Sequence, residues 1–287
     1  MSDRRKVLPQ YALPKRGLTA FAGRVARSER GATTTRLVRW FVRKYGVDMS
    51  EAAISEIGAY ASFNDFFTRA LKPGARPIAD AALVSPVDGT VSQLGAIEHD
   101  QILQAKGHRY STTALLGGDA DLAASFHDGS FATLYLSPKD YHRIHMPCDG
   151  TLVRMSHVPG ALFSVNPTTA RGVPGLFARN ERVVCIFESK AVGSFALVLV
   201  GATIVGSMAT TWHGVINAPR VRRVRDWRYD DAATPTSFAK GEEMGRFLLG
   251  STVVLLFGRG AGVRFAESWQ AGRSIRMGET MADTARA

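Results

Sequence analysis

Apolar positions follow two rhythms along the chain. After residue 79 they come in short β-branched and aromatic runs, "GTVSQLGAI", "FATLYL", "GTLVRMSHV", "RVVCIFES", "FALVLVGATIVGSMA" and "STVVLLF", spaced by Gly, Pro, Asp and Asn. That spacing predicts a mostly antiparallel β domain. Before it the period is helical. "RGLTAFAGRVARS" puts Leu18, Phe21 and Val25 on one stripe, with Arg16, Arg24 and Arg27 mostly off it. "TRLVRWFVRKYG" spaces Leu37, Phe41 and Tyr45 four apart beside Val38 and Trp40, and Gly46 is a natural stop. "SFNDFFTRALKPGARPIA" predicts a short helix opened by a Ser or Asn cap and ended by Pro73-Gly74. The expected class is α+β: an antiparallel β core with N-terminal amphipathic helices, divided into an arm over 1–60 and a β-rich domain over 61–287.

The uncharged run from Ala191 to Trp212 is long enough to span a membrane. Its glycines, hydroxyls and late alternation predict two buried strands meeting near Gly201 instead.

Composition makes wholesale disorder a poor description: 45% of the 287 residues are apolar and 21% charged. Two cysteines, Cys148 and Cys185, without a CxxC pair, fit a reducing compartment and structural thiols. Charge changes the picture more. Residues 1–50 hold twelve Lys/Arg against three Asp/Glu, while the other 237 carry 24 against 22. A basic arm on a nearly neutral body seeks an anionic surface, lipid or nucleic acid. Three readings stay open for it: an interfacial membrane helix, a helix packed on the protein's own core with a solvated basic face, or a transit peptide.

Three stretches carry candidate chemistry. In "SPVDGTV", Asp88 stands in a Pro-x-Asp-Gly turn, where an ordinary turn aspartate is the plain alternative. In "SPKDYHRIHMPCDG", His142 and His145 are three apart. They fit a general base oriented by a carboxylate better than a metal pair, because no further ligand set accompanies them. In "FLLGSTVVLLF", Gly250-Ser251-Thr252 interrupts a β run at what reads as a hairpin. No GxSxG elbow marks a hydrolase. Glycine before serine leaves a carbonyl open to attack by Ser251 Oγ. The peptide then becomes an ester, elimination at the Ser251 Cα breaks it, and the dehydroalanine hydrolyses to a pyruvoyl end and ammonia. An imidazole base beside the serine would drive the attack.

The blocks "SPVDG", "YHRIHMP", "LFSVNP" with "VPGLFARNERV", "VLVGATIVGS" and "KGEEMGRFLLGST" closely resemble, in order, those of bacterial phosphatidylserine decarboxylase proenzymes, from about residue 60 to 257. The N-terminal arm and the last 25 or so residues match more loosely. The resemblance implies cleavage between Gly250 and Ser251 into a β chain of residues 1–250 and an α chain of 37 residues. It implies that Ser251 becomes the covalent pyruvoyl cofactor, with no external cofactor and no metal. Asp88 and His145 would serve Ser251 in maturation, His142 would act in substrate handling or decarboxylation, and Phe163, Ser164 and Asn166 would lie near the substrate. The implied reaction converts phosphatidylserine to phosphatidylethanolamine through a Schiff base.

The implied partners are phosphatidylserine and an anionic membrane surface, with no nucleic acid. The implied location is peripheral, on the cytoplasmic face of the cell membrane. The β and α chains would stay associated, and the resemblance implies a homodimer of these. The alternatives are a pyruvoyl decarboxylase of a soluble amino acid, a non-enzymatic membrane- or nucleic-acid-binding module with Ser251 an inert turn, and a His-dependent hydrolase.

Overall fold

A computed structural model describes residues 3–105, 107–203, 207–216, 222–230, 235–248 and 252–285. The molecule is α+β, and its centre is a nine-stranded antiparallel sheet. Across the sheet run Arg225–Arg228, Gly150–Val158, Arg182–Ser189, Gly193–Val200, Thr252–Phe257, Ser130–Tyr135, Gly89–Ala96 and Ser274–Ile275, with Ser237–Phe238 also paired to Gly150–Val158. Thr252–Phe257 lies in the middle, paired to Gly193–Val200 on one side and Ser130–Tyr135 on the other. All six of its residues are buried.

The central strands are apolar at consecutive positions because both faces of the sheet are covered. Val253, Leu255 and Phe257 point into a core shared with Leu134, Cys185, Leu197 and Phe247. Val254 and Leu256 point into the opposite core with Phe131, Val184, Val198 and Phe177. The cysteines are free and buried, and burial pushes the Cys148 thiol up to about 11.

A four-stranded antiparallel sheet runs Gly214–Val215, Met208–Thr210, Glu243–Phe247, Arg143–His145. This corrects the expected hairpin around residue 250. Glu243–Phe247 and Thr252–Phe257 belong to different sheets and do not pair with each other. Each finds better partners elsewhere, and the chain passes from one sheet to the other between them. The uncharged run supplies the strand Gly193–Val200 and then, in the other sheet, Met208–Thr210. Among the described residues no helix is long and apolar enough to cross a membrane.

After the short helices Asp3–Val7 and Pro9–Ala12 the arm forms two longer ones, Lys15–Ala26 and Ala32–Tyr45, the second stopped by Gly46 in the left-handed conformation at φ 65°. Each behaves differently from a simple core helix. Leu18, Phe21 and Val25 face outward, 40, 67 and 36% exposed, while Thr19 and Ala26 face the protein. Ala32–Tyr45 turns Val38, Leu37, Phe41 and Val42 onto a cluster of Tyr60, Phe63, Phe66 and Phe67. It leaves Trp40 and Arg36, Arg39, Arg43 and Lys44 exposed. Phe41 stands 5.0, 5.9 and 6.0 Å, centroid to centroid, from Phe63, Phe66 and Phe67.

The short helix Phe63–Phe67 opens on Ser62, whose hydroxyl accepts from the Asp65 amide. It ends before Pro73-Gly74, because the chain leaves it to pair with an earlier segment. The Ala53 amide donates to the Ala70 carbonyl and the Lys72 amide to the Glu51 carbonyl.

Candidate active site

Asp88 stands in the turn before Gly89–Ala96. A Cβ on Gly89 would lie 2.4 Å from the Tyr135 carbonyl oxygen, so only glycine lets the turn close onto that strand. Tyr135 in turn pairs with Thr252. The Asp88 carboxylate accepts from Arg76 Nε at 2.9 Å, from Arg76 Nη2 at 2.5 Å and from the Met277 amide at 2.8 Å. Arg76 Nη2 also reaches Glu51 at 2.8 Å. Burial works against the Arg76 charge, but the Asp88 and Glu51 carboxylates more than offset it and hold the guanidinium charged.

His145 is brought beside that turn by its own amide, which donates to the Pro86 carbonyl at 2.9 Å. Its Nδ1 lies 2.8 Å from the Gly241 carbonyl, which can only accept. The proton therefore sits on Nδ1, and Nε2 carries the lone pair. The Tyr141 hydroxyl, 3.0 Å from Nε2, donates to it. Burial lowers the His145 pKa below the ordinary imidazole range, against the Gly241 bond. No hydrogen bond joins Asp88 to His145. They are neighbours, with the carbonyl of Gly241 orienting the ring.

His142 is fully buried. Its Nδ1–H donates to the Asp140 carbonyl at 2.7 Å, and its ring lies 4.0 Å from that of Phe67. Nε2 has no partner. Burial pushes the pKa down to about 3, so the ring is neutral with a free lone pair. The backbone around it is tied to the Phe helix: Arg69 Nη2 donates to the Lys139 carbonyl at 3.2 Å and Arg143 Nε to the Thr68 carbonyl at 2.8 Å.

Gly250 and Ser251 lie outside the described residues. Their described flanks meet the residues above. The Phe247 amide donates to the His142 carbonyl at 3.0 Å, and Glu243 pairs with His145. On the other flank Thr252 is buried between Tyr135 and Val200, and its hydroxyl has no hydrogen-bond partner among the described residues.

The loop 162–166 approaches the same end of the sheet. Asn180 Nδ2 bridges the Phe163 and Gly201 carbonyls at 2.8 Å each, and Gly201 follows Val200, the partner of Thr252. Phe163 is buried, with its amide donating to Asn180 Oδ1. The Ser164 amide donates to Gln10 Oε1 at 2.9 Å. Asn166 caps the helix Pro167–Gly172, its Oδ1 accepting from the Thr169 amide and hydroxyl.

A family model described as phosphatidylserine decarboxylase matches residues 63–283, and a second, described as PSD, matches residues 5–46. The chain belongs to the phosphatidylserine decarboxylase family. It is 70% identical over 286 residues to the phosphatidylserine decarboxylase proenzyme of Polaromonas naphthalenivorans (strain CJ2), covering 99% of this chain and 98% of that one. It is 70% identical over 282 residues to the proenzyme of Acidovorax ebreus (strain TPSY), with 98% of each covered. It is 66% identical over 284 residues to that of Herminiimonas arsenicoxydans, covering 99% and 95%. The segment matched by the phosphatidylserine decarboxylase model contains both histidines, Asp88 and the two strands flanking residues 249–251.

Three members of this arrangement escaped the sequence reading: Tyr141, Arg76 and the Gly241 carbonyl. Tyr141 sits inside the "YHRIH" block, yet nothing in spacing says that its hydroxyl meets His145. Arg76 lies in an irregular loop and reaches Asp88 through space. A backbone acceptor such as Gly241 leaves no mark on sequence.

Proposed function

We propose that this chain cuts its own backbone between Gly250 and Ser251 and then decarboxylates phosphatidylserine to phosphatidylethanolamine at a pyruvoyl group made from Ser251. The carrying observation is that two buried, neutral imidazoles adjoin the strand leading into residues 249–251, in a chain of the phosphatidylserine decarboxylase family. The residues present fit the group, because His142 Nε2 and Thr252 Oγ1, on either flank of it, are buried polar atoms without partners among the described residues. The group supplies an electron-withdrawing carbonyl for amine substrates. The residues do the rest.

His145, with its proton held on Nδ1 by Gly241, serves as the base for Ser251 through Nε2, whose lone pair accepts from Tyr141 until the serine hydroxyl takes that place. Asp88, locked by Arg76 and the Met277 amide, adds negative potential beside the imidazole as it takes up a proton. His142 is free to hold a substrate polar group or move a proton at Nε2, and the Phe67 ring keeps water from its face. The apolar packing around Thr252–Phe257 holds water away, which favours elimination over hydrolysis of the ester. Because that strand is the middle of the large sheet, the α chain of residues 251–287 stays bound after scission.

The arm places the enzyme on the lipid surface, on the cytoplasmic face of the cell membrane and without spanning it. Basic residues attract anionic headgroups, and Trp40, Leu18 and Phe21 enter the interface. The test is turnover of phosphatidylserine vesicles beside free serine. Release of CO2 from the vesicles, abolished by hydroxylamine, is expected. Turnover of free serine alone, or turnover indifferent to hydroxylamine, would overturn the reading.

A further inference from the structure

The ring of Phe163 carries two cations. Lys15 Nζ lies 4.5 Å from its centroid and the Arg179 guanidinium carbon 5.1 Å. Arg179 also stands 5.8 Å from the ring of Tyr11, which meets Phe163 edge-on at 5.0 Å. Both separations from Phe163 are within cation–π range. Two like charges on one ring oppose each other, and Lys15 is accordingly held below the ordinary lysine range, first by partial burial and then by Arg179.

What is missing is an acid. Elsewhere in the molecule buried or partly buried arginines have an acceptor: Arg76 pairs with Asp88, Arg143 with Glu243, Arg154 with Asp119 and Arg171 with Asp3, while Arg69 and Arg182 donate to backbone carbonyls. Among the described residues no carboxylate pairs with Lys15 or Arg179. Lys15 donates to the Gln10 carbonyl, and among the described residues no hydrogen bond is seen from the Arg179 side chain, whose contacts are the rings of Phe163 and Tyr11. An unmatched cation pair on a built aromatic platform is a site prepared for an anion.

The surroundings say which anion. Leu8, Tyr11 and Leu13 on the adjoining arm segment are 56, 48 and 44% exposed, an unusual concentration of free apolar side chains beside two charges. An inorganic ion has no use for that rim; the acyl chains of a lipid do. The platform is also in reach of the site. Phe163 is linked by Asn180 to Gly201, next to the Val200 partner of Thr252.

We infer that Lys15 and Arg179 form the cradle for the phosphodiester of the phospholipid substrate, with its acyl chains lying over Leu8, Tyr11 and Leu13. The inference rests on the phospholipid reading above and adds the residues that recognise its phosphate. The arm is then part of the substrate site as well as a membrane anchor. A Lys15 contributed by the arm and an Arg179 contributed by the β domain complete the cradle only when the arm is docked.

The test uses the processed full-length enzyme and dihexanoylphosphatidylglycerol below its micelle concentration. That probe is an anionic phosphodiester with no amine to react, so binding is separate from turnover. Lys15→Met keeps the alkyl stem over the ring and removes the charge. With Arg179→Gln it should weaken the dissociation constant by titration calorimetry about tenfold or more, the loss of charge-assisted contacts. Lys15→Arg should bind within about twofold of the parent, and melting temperatures should stay together. With monomeric dihexanoylphosphatidylserine, KM should rise and kcat hold, the signature of uniform binding loss. Unchanged dissociation constants in the double variant would overturn the inference, as would displacement of the lipid by equimolar inorganic phosphate. Loss of lipid binding in a protein that turns over no phosphatidylserine would instead leave the cradle standing and remove the decarboxylation reading.

Discussion

The helical arm and the central strand Thr252–Phe257 both carry large apolar side chains, and they place them in opposite ways. Every residue of the strand is buried. In the arm, Leu8, Tyr11, Leu13, Leu18, Phe21, Val25, Trp40 and Tyr45 remain exposed. They account for eight of the twelve large apolar side chains exposed among the described residues. The difference lies in what neighbours each run. The strand has partners on both edges and a core on both faces. The arm buries only a few positions, Val7 in one cluster and Ala26 and Val38 in another, and its interleaved arginines and remaining apolar side chains stay exposed. Exposure of this kind at one end of a molecule marks an interaction surface.

The comparison breaks most severely if the strand is damaged. Phe257→Ala should cost about 3–5 kcal/mol, a cavity between two packed faces, measured by denaturant unfolding. A loss under 1 kcal/mol would mean that the sheet centre is loosely packed. Phe67→Ala should cost nearly as much, about 3 kcal/mol, because its ring joins the arm cluster to His142. It should also free His142 to titrate closer to its ordinary range, seen by imidazole NMR.

Substitutions on the arm surface should leave stability alone and strike binding. Changing Arg36, Arg39 and Arg43 to Gln removes three surface charges at about 1 kcal/mol each. Affinity for anionic vesicles should fall roughly a hundredfold, with the melting temperature unmoved. A large fall in melting temperature would make these arginines structural. Trp40→Ala, half exposed, should lower vesicle partitioning only severalfold.

Acid supplies the mildest and most specific handle. A buried His142 with pKa about 3, against 6.5 for a free imidazole, stays neutral while the unfolded chain takes up a proton. Its contribution to stability is therefore complete above pH 6.5 and is lost progressively as pH falls toward 3. His142→Gln should flatten that part of the pH–stability curve; an unchanged slope would mean that His142 is not the titrating group.

Much of this architecture was legible in the sequence because its causes are local. The strands at 150–158 and 182–189 were read to the residue, since turn chemistry and β-branched runs bound them on both sides. Gly46 ended its helix because only a left-handed residue could. What the sequence left hidden depends on distant pairing. The runs on either side of residue 250 look like the arms of a hairpin, but each is claimed by strands far away in the chain. The short helix ended ahead of its Pro-Gly because residues 51–53 captured the backbone that follows.

At the site, the residue types were legible and their contacts were not. Asp88, His142 and His145 do lie around the flanks of residues 249–251, yet the acceptor at His145 Nδ1 is a carbonyl and the Asp88 carboxylate belongs to Arg76. Asn166, expected beside substrate, has its side-chain oxygen occupied as a helix cap.

Self-cleavage ahead of Ser251 is the claim from which the proposed chemistry follows, and intact-mass analysis of the purified protein, beside Ser251→Ala, reads it directly. The account predicts two chains, residues 1–250 and a 37-residue partner with a blocked pyruvoyl end, and a single uncut chain for the variant. A catalytically active preparation containing only the 31.1 kDa polypeptide would contradict it.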